Sequence, residues 1–352
     1  VRCRVLCGVL VTAAFLLSAC AGGVSASAPQ APAGAGFPVE LENCKGSAVT
    51  FDAPPSKIVT SNASSLEMLF WLGAQDRVLG TGFPPAEGTM PERFARDAAK
   101  IQVLGDKVIA KEKLLGSGAD LYIDTFSNMG MMGGAAGVAP TEEEFAAVGI
   151  KHLFLQSTAC PAQSGGPVVD LSAVEGDLKR LGAMTGTSPR AGELVAEMER
   201  KTGEVRDALA KVPQDQRPTY YFFDVGATPG QPVAACNQQV ANAVITLAGA
   251  RNVYGDCSGG FKPVGWEDVV ARDPDWIQLG VRNRGDARAN QAGFDEAVKF
   301  LKEFPATAGL KAVREDRFLR IPSERTTIAS VRNADTVREI ATTLYPDLVK
   351  AG

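Results

Sequence analysis

Ser188-Pro-Arg-Ala-Gly-Glu-Leu-Val-Ala-Glu-Met-Glu-Arg-Lys-Thr-Gly-Glu-Val-Arg-Asp-Ala-Leu209 decides the fold. Ser188 reads as an N-cap, with Pro189 at the first helical position, where a missing N–H costs nothing. Leu194, Val195, Met198, Val205, Ala208 and Leu209 recur at helical spacing, and the pattern stops before Pro213. About 23 residues at 1.5 Å each make a rod of roughly 34 Å. Just upstream, Ser172-x-x-Glu175 reads as a capping box that opens a helix ending near Gly182. A rod this long, between two sets of shorter elements, reads as a connector.

Those two sets have the same character. Before the rod, the apolar runs Ile58 to Thr60, Val78 to Gly80, Leu121 to Asp124 and Leu153 to Gln156 predict strands. They alternate with predicted helices at Ser65 to Leu72, Lys111 to Leu115 and Glu142 to Val148. After it, predicted strands at Thr219 to Val225, Trp276 to Gly280 and Phe318 to Ile321 alternate with helices at Gln238 to Ala248, Glu267 to Ala271, Phe294 to Glu303 and Ala329 to Leu344. Such alternation is the mark of parallel α/β units. The fold class that follows is α/β: two Rossmann-like lobes with parallel sheets, joined by one long rigid helix, with a cleft between them.

The halves echo each other. Glu112-Lys-Leu-Leu-Gly-Ser-Gly-Ala-Asp120 and Glu267-Asp-Val-Val-Ala-Arg-Asp-Pro-Asp275 each place a Glu, a short apolar helix, a turn and an Asp before a strand. The expected divisions are a leader over 1–19, a lipidated Cys and linker over 20–38, a first lobe over 39–168, a helix pair over 169–212 and a second lobe over 213–352.

Arg2 and Arg4 precede an apolar run from Val5 to Leu17 that is too short to span a bilayer comfortably. It ends in Leu17-Ser18-Ala19-Cys20, which resembles a bacterial lipobox, where cleavage exposes a Cys that carries lipid. Ala21 to Gly36 reads as a flexible small-residue tether. The expected location is the extracytoplasmic face of the cell membrane, held by lipid alone.

Of seven Cys, Cys3 and Cys7 leave with the leader and Cys20 takes lipid, so Cys44, Cys160, Cys236 and Cys257 remain. Four Cys in an oxidising compartment allow three connectivities. Pairing within each lobe, Cys44 with Cys160 and Cys236 with Cys257, is favoured because a bond across the lobes would lock the cleft. No pair has zinc-ligand spacing. A net charge of −4 argues against nucleic acid as a partner.

In order and spacing, the lipobox, Val49-Thr-Phe-Asp-Ala-Pro-Pro-Ser-Lys-Ile-Val59, Leu66-Glu67 with Leu72-Gly73, Asp76-Arg-Val-Leu-Gly80, the long helix, Trp266-Glu-Asp-Val-Val270 and Arg272-Asp-Pro-Asp275 resemble the iron-siderophore and cobalamin substrate-binding family of ABC importers. The resemblance implies a monomeric binding protein that carries a small molecule to a permease dimer. It also implies one acidic docking residue at the tip of each lobe, matched here to Glu67 and Glu267.

Ligand is expected at the carboxyl ends of the strands, as in open α/β sheets generally. The contacts expected there are Asn62, Phe83, Phe126, Asp224, Trp266, Arg282, Arg284 and Arg325. The arginines point to an anionic or oxygen-rich ligand, because guanidinium forks match such acceptors. The aromatic residues, Phe261 among them, offer apolar walls. A ferric siderophore is the first expectation and a corrinoid or other anionic cofactor precursor the second, with a non-transport cell-envelope binding protein as the remaining alternative. No cofactor or protein-held metal is expected, although the ligand can bring Fe(III). Asn128-Met-Gly-Met-Met-Gly-Gly134 reads as an apolar cover beside the cleft, and His152, the single His, as a core or rim residue. Nucleophile-elbow, phosphate-loop and dinucleotide fingerprints are missing from the sequence, so no enzyme is expected.

Overall fold

In the computed structural model, residues 36–350 are described, apart from 45, 87, 126–138, 162–165, 227–230, 283 and 285. The leader, Cys20, most of the linker, Phe126 and the Asn128–Gly134 segment therefore lie outside the described residues.

A two-stranded antiparallel pair, β1 (Val39–Glu42) with β2 (Ala48–Phe51), opens the first lobe. Its main sheet holds β3 (Ile58–Thr60), β4 (Val78–Gly82), β5 (Gln102–Gly105), β6 (Leu121–Asp124) and β7 (Lys151–Phe154). The strands run parallel in the order β5-β4-β3-β6-β7. The helices are α1 (Ala63–Trp71), α2 (Glu92–Ala98), α3 (Lys111–Leu115), α4 (Glu142–Ala147) and α5 (Gln156–Ala159). β5, α2 and α5 are additional to the elements expected from the sequence. Gln102–Gly105 is an edge strand with two exposed positions, so it lacks the apolar run that marks its neighbours.

Two connector helices follow, α6 (Ser172–Thr185) and α7 (Ser188–Ala208). The predicted caps are wrong in detail. Ser172 begins α6 and donates its hydroxyl to Asp170 instead of forming a capping box. Ser188 lies within α7, whose cap position is Thr187. α6 runs on to Gly186, a left-handed residue of the kind that ends helices. The 21 residues of α7 span roughly 32 Å. Leu194, Val195, Met198 and Val205 are buried. The opposite face carries Glu197, Arg200 and Glu204 in exposed ion pairs.

The second lobe contains β8 (Thr219–Asp224), β9 (Val233–Ala235), α8 (Val240–Leu247), β10 (Arg251–Asn252), β11 (Phe261–Pro263), α9 (Trp266–Arg272), β12 (Trp276–Gly280), α10 (Ala287–Glu303), α11 (Lys311–Arg314), β13 (Phe318–Leu319), α12 (Ser323–Thr327) and α13 (Arg332–Leu344). Its sheet is parallel in the order β10-β8-β12-β13, and β9 pairs with β11 as a separate antiparallel ribbon.

One apolar cluster runs through both lobes and the connector. It joins Ile58, Leu121 and Leu153 to Leu181, Leu194 and Met198, and these to Tyr220, Val244 and Ile340. The connector is thus buried along one stripe rather than suspended across a gap, and burial of each large apolar side chain stabilises by about 1.5–3 kcal/mol. Cys44 bonds Cys160 and Cys236 bonds Cys257, each pair within one lobe. Among the described residues no helix is long and apolar enough to cross a membrane.

Candidate ligand-binding site

In each main sheet the strand order reverses beside the strand that comes first in sequence. These switch points lie between β3 and β6 in the first lobe and between β8 and β12 in the second. Crevices for ligands open at the carboxyl ends of such strand pairs.

At the first switch point the chain leaves β3 through Ser61 and Asn62, and leaves β6 through Thr125. The Ser61 hydroxyl lies 3.0 Å from Thr125 Oγ1 and accepts from the Thr125 amide. Asn62 caps α1, accepting from the amides of Ser64 and Ser65, while its Nδ2 donates to Thr125 Oγ1 at 2.7 Å. Its amide is therefore engaged at both ends and holds the mouth of the strands in shape. Phe83 follows β4, half-buried, with φ at 32°. For a bulky side chain that backbone is strained, a condition that the surrounding structure must hold in place.

At the second switch point Asp224 ends β8 and pairs in register with Gly280 of β12. A Cβ on Gly226 would lie 3.3 Å from Asp224 Oδ1 and 3.5 Å from Arg282 Nε, so the three residues converge on one spot. Arg282 is exposed and makes no ion pair with any described residue. Gly226 is additional to the residues expected from the sequence, and its signal there is a glycine just past the end of a strand.

Four of the other expected residues are placed differently. Arg284 folds back onto α10 and pairs with Glu296 at 3.2 Å. Arg325, on α12, pairs with Glu339 of α13 at 2.7 Å, so its charge is already matched. Trp266 is buried among Phe223, Phe300 and Phe304, in the core of the second lobe. Glu67 was expected to be an exposed carboxylate, yet it is 2 % exposed, bound by Arg332, Ser330 and Trp71. Trp266 and Glu67 pack against residues from distant sequence, which local patterns do not report, and the two arginines turn to carboxylates on the following helices.

Glu267 is exposed on the first turn of α9. Its counterpart by fold is Glu112, exposed on the first turn of α3. The repeated Glu-to-Asp spacing already linked these two. Phe261 lies on β11, exposed.

His152 is buried against Tyr122, Phe145 and Phe154. Burial opposes its charge, but Glu142 at 2.8 Å and Asp124 at 3.7 Å outweigh it and raise the pKa to about 8. Among the described residues no cluster of His, Cys, Asp and Glu could hold a metal ion. A hollow of about 560 Å³ lies elsewhere, at the edge of the first lobe beside the Cys44–Cys160 bond.

The family model for periplasmic binding proteins matches residues 58–325, across both lobes and the connector. The chain belongs to that family. It is a periplasmic substrate-binding protein of the ABC-transporter type, and such proteins bind small ligands and work with permease components. Over 314 residues it is 23 % identical to an uncharacterized ABC transporter substrate-binding lipoprotein of Bacillus subtilis, covering 89 % of this chain and 88 % of that one. Over 295 residues it is 26 % identical to a cobalamin-binding protein of Halobacterium salinarum, covering 80 % and 70 %. It also superimposes on an ABC-type Fe3+-hydroxamate transport system structure from Saccharomonospora viridis. There the TM-score is 0.68 and the identity 25 %, covering 87 % of this chain and 99 % of that one. The family and these relatives are binding proteins of transport systems, not enzymes.

Proposed function

We propose that this periplasmic binding protein captures an iron(III)-siderophore between its two switch points and delivers it to an ABC importer. The observation that carries the reading is Arg282, an exposed guanidinium without an ion pair among the described residues, beside Asp224 at the mouth of β8 and β12. A guanidinium fork matches the paired oxygens of a chelated metal complex. Phe83 offers an apolar wall across the cleft, and Phe126 is assigned the same role from sequence. The similarity to the Fe3+-hydroxamate system structure supports the iron reading.

A corrinoid is the second reading, favoured by the similarity to the cobalamin-binding protein. Anchoring by lipid at Cys20, as a monomer on the outer face of the membrane, is part of the proposal and is supported by the lipoprotein name of the Bacillus relative. Docking to the permease is assigned to Glu112 and Glu267, the exposed carboxylates that open equivalent helices in the two lobes.

Calorimetric titration of the purified protein with a panel of ferric siderophores, their iron-free forms and cobalamin tests the ligand. The expected result is saturable binding of one ferric siderophore and weaker binding of its iron-free form. Tight binding of cobalamin with no response to the panel would replace the first reading with the second.

A further inference from the structure

The lobes are fastened a second time, away from the connector, by a buried ion pair. Glu67 stands in the middle of α1, in the first lobe, and Arg332 begins α13, in the second. Arg332 Nε donates to Glu67 Oε1 at 2.8 Å, and its Nη2 donates to Oε2. The Ser330 hydroxyl donates to the same Oε1 at 2.6 Å, and Trp71 Nε1 does so at 3.0 Å. Arg332 Nη2 also reaches the Thr89 carbonyl of the first lobe, at 3.0 Å. One turn earlier on α1, the Ser64 hydroxyl donates to the Ala329 carbonyl at 2.6 Å.

Each side of this contact is rigidly tied to its half of the cleft. α1 is capped by Asn62, which is bonded to Thr125 at the first switch point. On the other side, Ser330 and Arg332 are held by local bonds, and Asn333 donates to the carbonyls of Arg325 and Ile328. Ser323, which starts α12, donates its amide to the Val281 carbonyl beside Arg282. Any rotation of the lobes about the connector must move α1 relative to Ala329–Arg332. Hydrogen bonds weaken steeply with distance and angle. A two-point guanidinium–carboxylate pair is the most directional of them, and a buried carboxylate separated from its partner is strongly disfavoured.

We propose that Glu67 and Arg332 form an interlobe latch that sets the opening of the cleft. The connector alone would permit a range of lobe angles, and the latch selects one. This inference stands apart from the identity of the ligand.

The test measures the distance between spin labels at Lys113→Cys and Lys299→Cys, exposed positions on α3 and α10, by pulsed electron resonance in the ligand-free protein. The intact latch gives a single narrow distribution. The double variant Glu67→Met/Arg332→Met removes both charges without leaving either orphaned, and it should broaden the distribution and move its mean to longer distance. Arg332→Lys keeps the charge but loses the fork, and a smaller broadening is expected. A folded double variant with the wild-type distribution overturns the latch. Should the double variant fail to fold, an unchanged distribution in Arg332→Lys overturns it equally.

Discussion

Asp120 and Asp275 do the same work in the two lobes. Asp120 precedes β6, and its carboxylate accepts from the amides of Ser56 and Lys57 at the entrance to β3. Asp275 precedes β12 and accepts from the amide and hydroxyl of Thr219, the first residue of β8. Each carboxylate pins the amino ends of two paired strands, β3 with β6 and β8 with β12. At the carboxyl ends of the same pairs lie the two switch points. The repeated Glu-to-Asp spacing in the sequence is therefore a repeated fastening at the far side of the cleft.

Asp275→Ala removes both bonds to Thr219 and the pairing with Lys311. Burial raises the carboxyl pKa, but Lys311 and Thr219 more than offset that and hold it below the usual range. Hydrogen bonds to charged groups are worth about 1.5–3 kcal/mol, so a loss of that order is expected in urea unfolding. Ligand affinity of the folded variant should stay at the wild-type value. A loss below about 0.5 kcal/mol, typical of ordinary surface sites, would show that the fastening is dispensable.

The three cleft arginines should behave differently. Arg282→Ala should weaken ligand binding by about 1.5–3 kcal/mol, tenfold or more. Arg284→Ala and Arg325→Ala should leave affinity nearly unchanged, because their charges are paired with Glu296 and Glu339. Calorimetry on the three single variants checks the ranking. Equal losses in all three would return the ligand site to the broader set expected from sequence.

His152 sets a pH dependence. Its folded pKa, about 8, lies above the unfolded value of 6.5. The protonated form is therefore favoured by folding, and its contribution is complete below pH 6.5 and lost as the pH rises through 8. A shift of this size corresponds to about 2 kcal/mol at most, less because Glu142 is largely exposed. Unfolding free energy measured from pH 6 to 9 should fall across this window in the wild type. The corresponding drop should be missing in His152→Gln, and identical profiles for the two proteins would contradict the assignment.

Much of the architecture was legible from local pattern. The connector announced itself through Leu194, Val195, Met198 and Val205, and the parallel strands through apolar runs bounded by turns. The β9–β11 ribbon escaped because Phe261, Lys262 and Pro263 are all exposed and show no alternation. Asn62, Asp224 and Arg282 are placed at strand ends by sequence and structure alike, because strand ends are local features. Glu67 was misplaced because its partner, Arg332, lies 265 positions away. The one hint was its setting in Leu66-Glu67-Met68-Leu69-Phe70, where a lone charge in an apolar run must find a partner once buried.

Reversing the charge of Glu112 and Glu267 together separates docking from binding. Both side chains are exposed and open short helices, so Glu112→Lys/Glu267→Lys should fold and bind ligand as the wild type does. Like charges brought together at an interface cost several kcal/mol, so stimulation of the importer's ATPase in vesicles should be lost. Full stimulation by the double variant would move the docking surface elsewhere.

Uptake of radioactive iron presented as the siderophore bound in calorimetry tests the central claim most directly. Cells lacking this protein should lose that uptake and keep cobalamin uptake, and the wild-type chain should restore what was lost. Iron uptake that is unchanged without the protein, or a loss confined to cobalamin, would contradict delivery of a ferric siderophore.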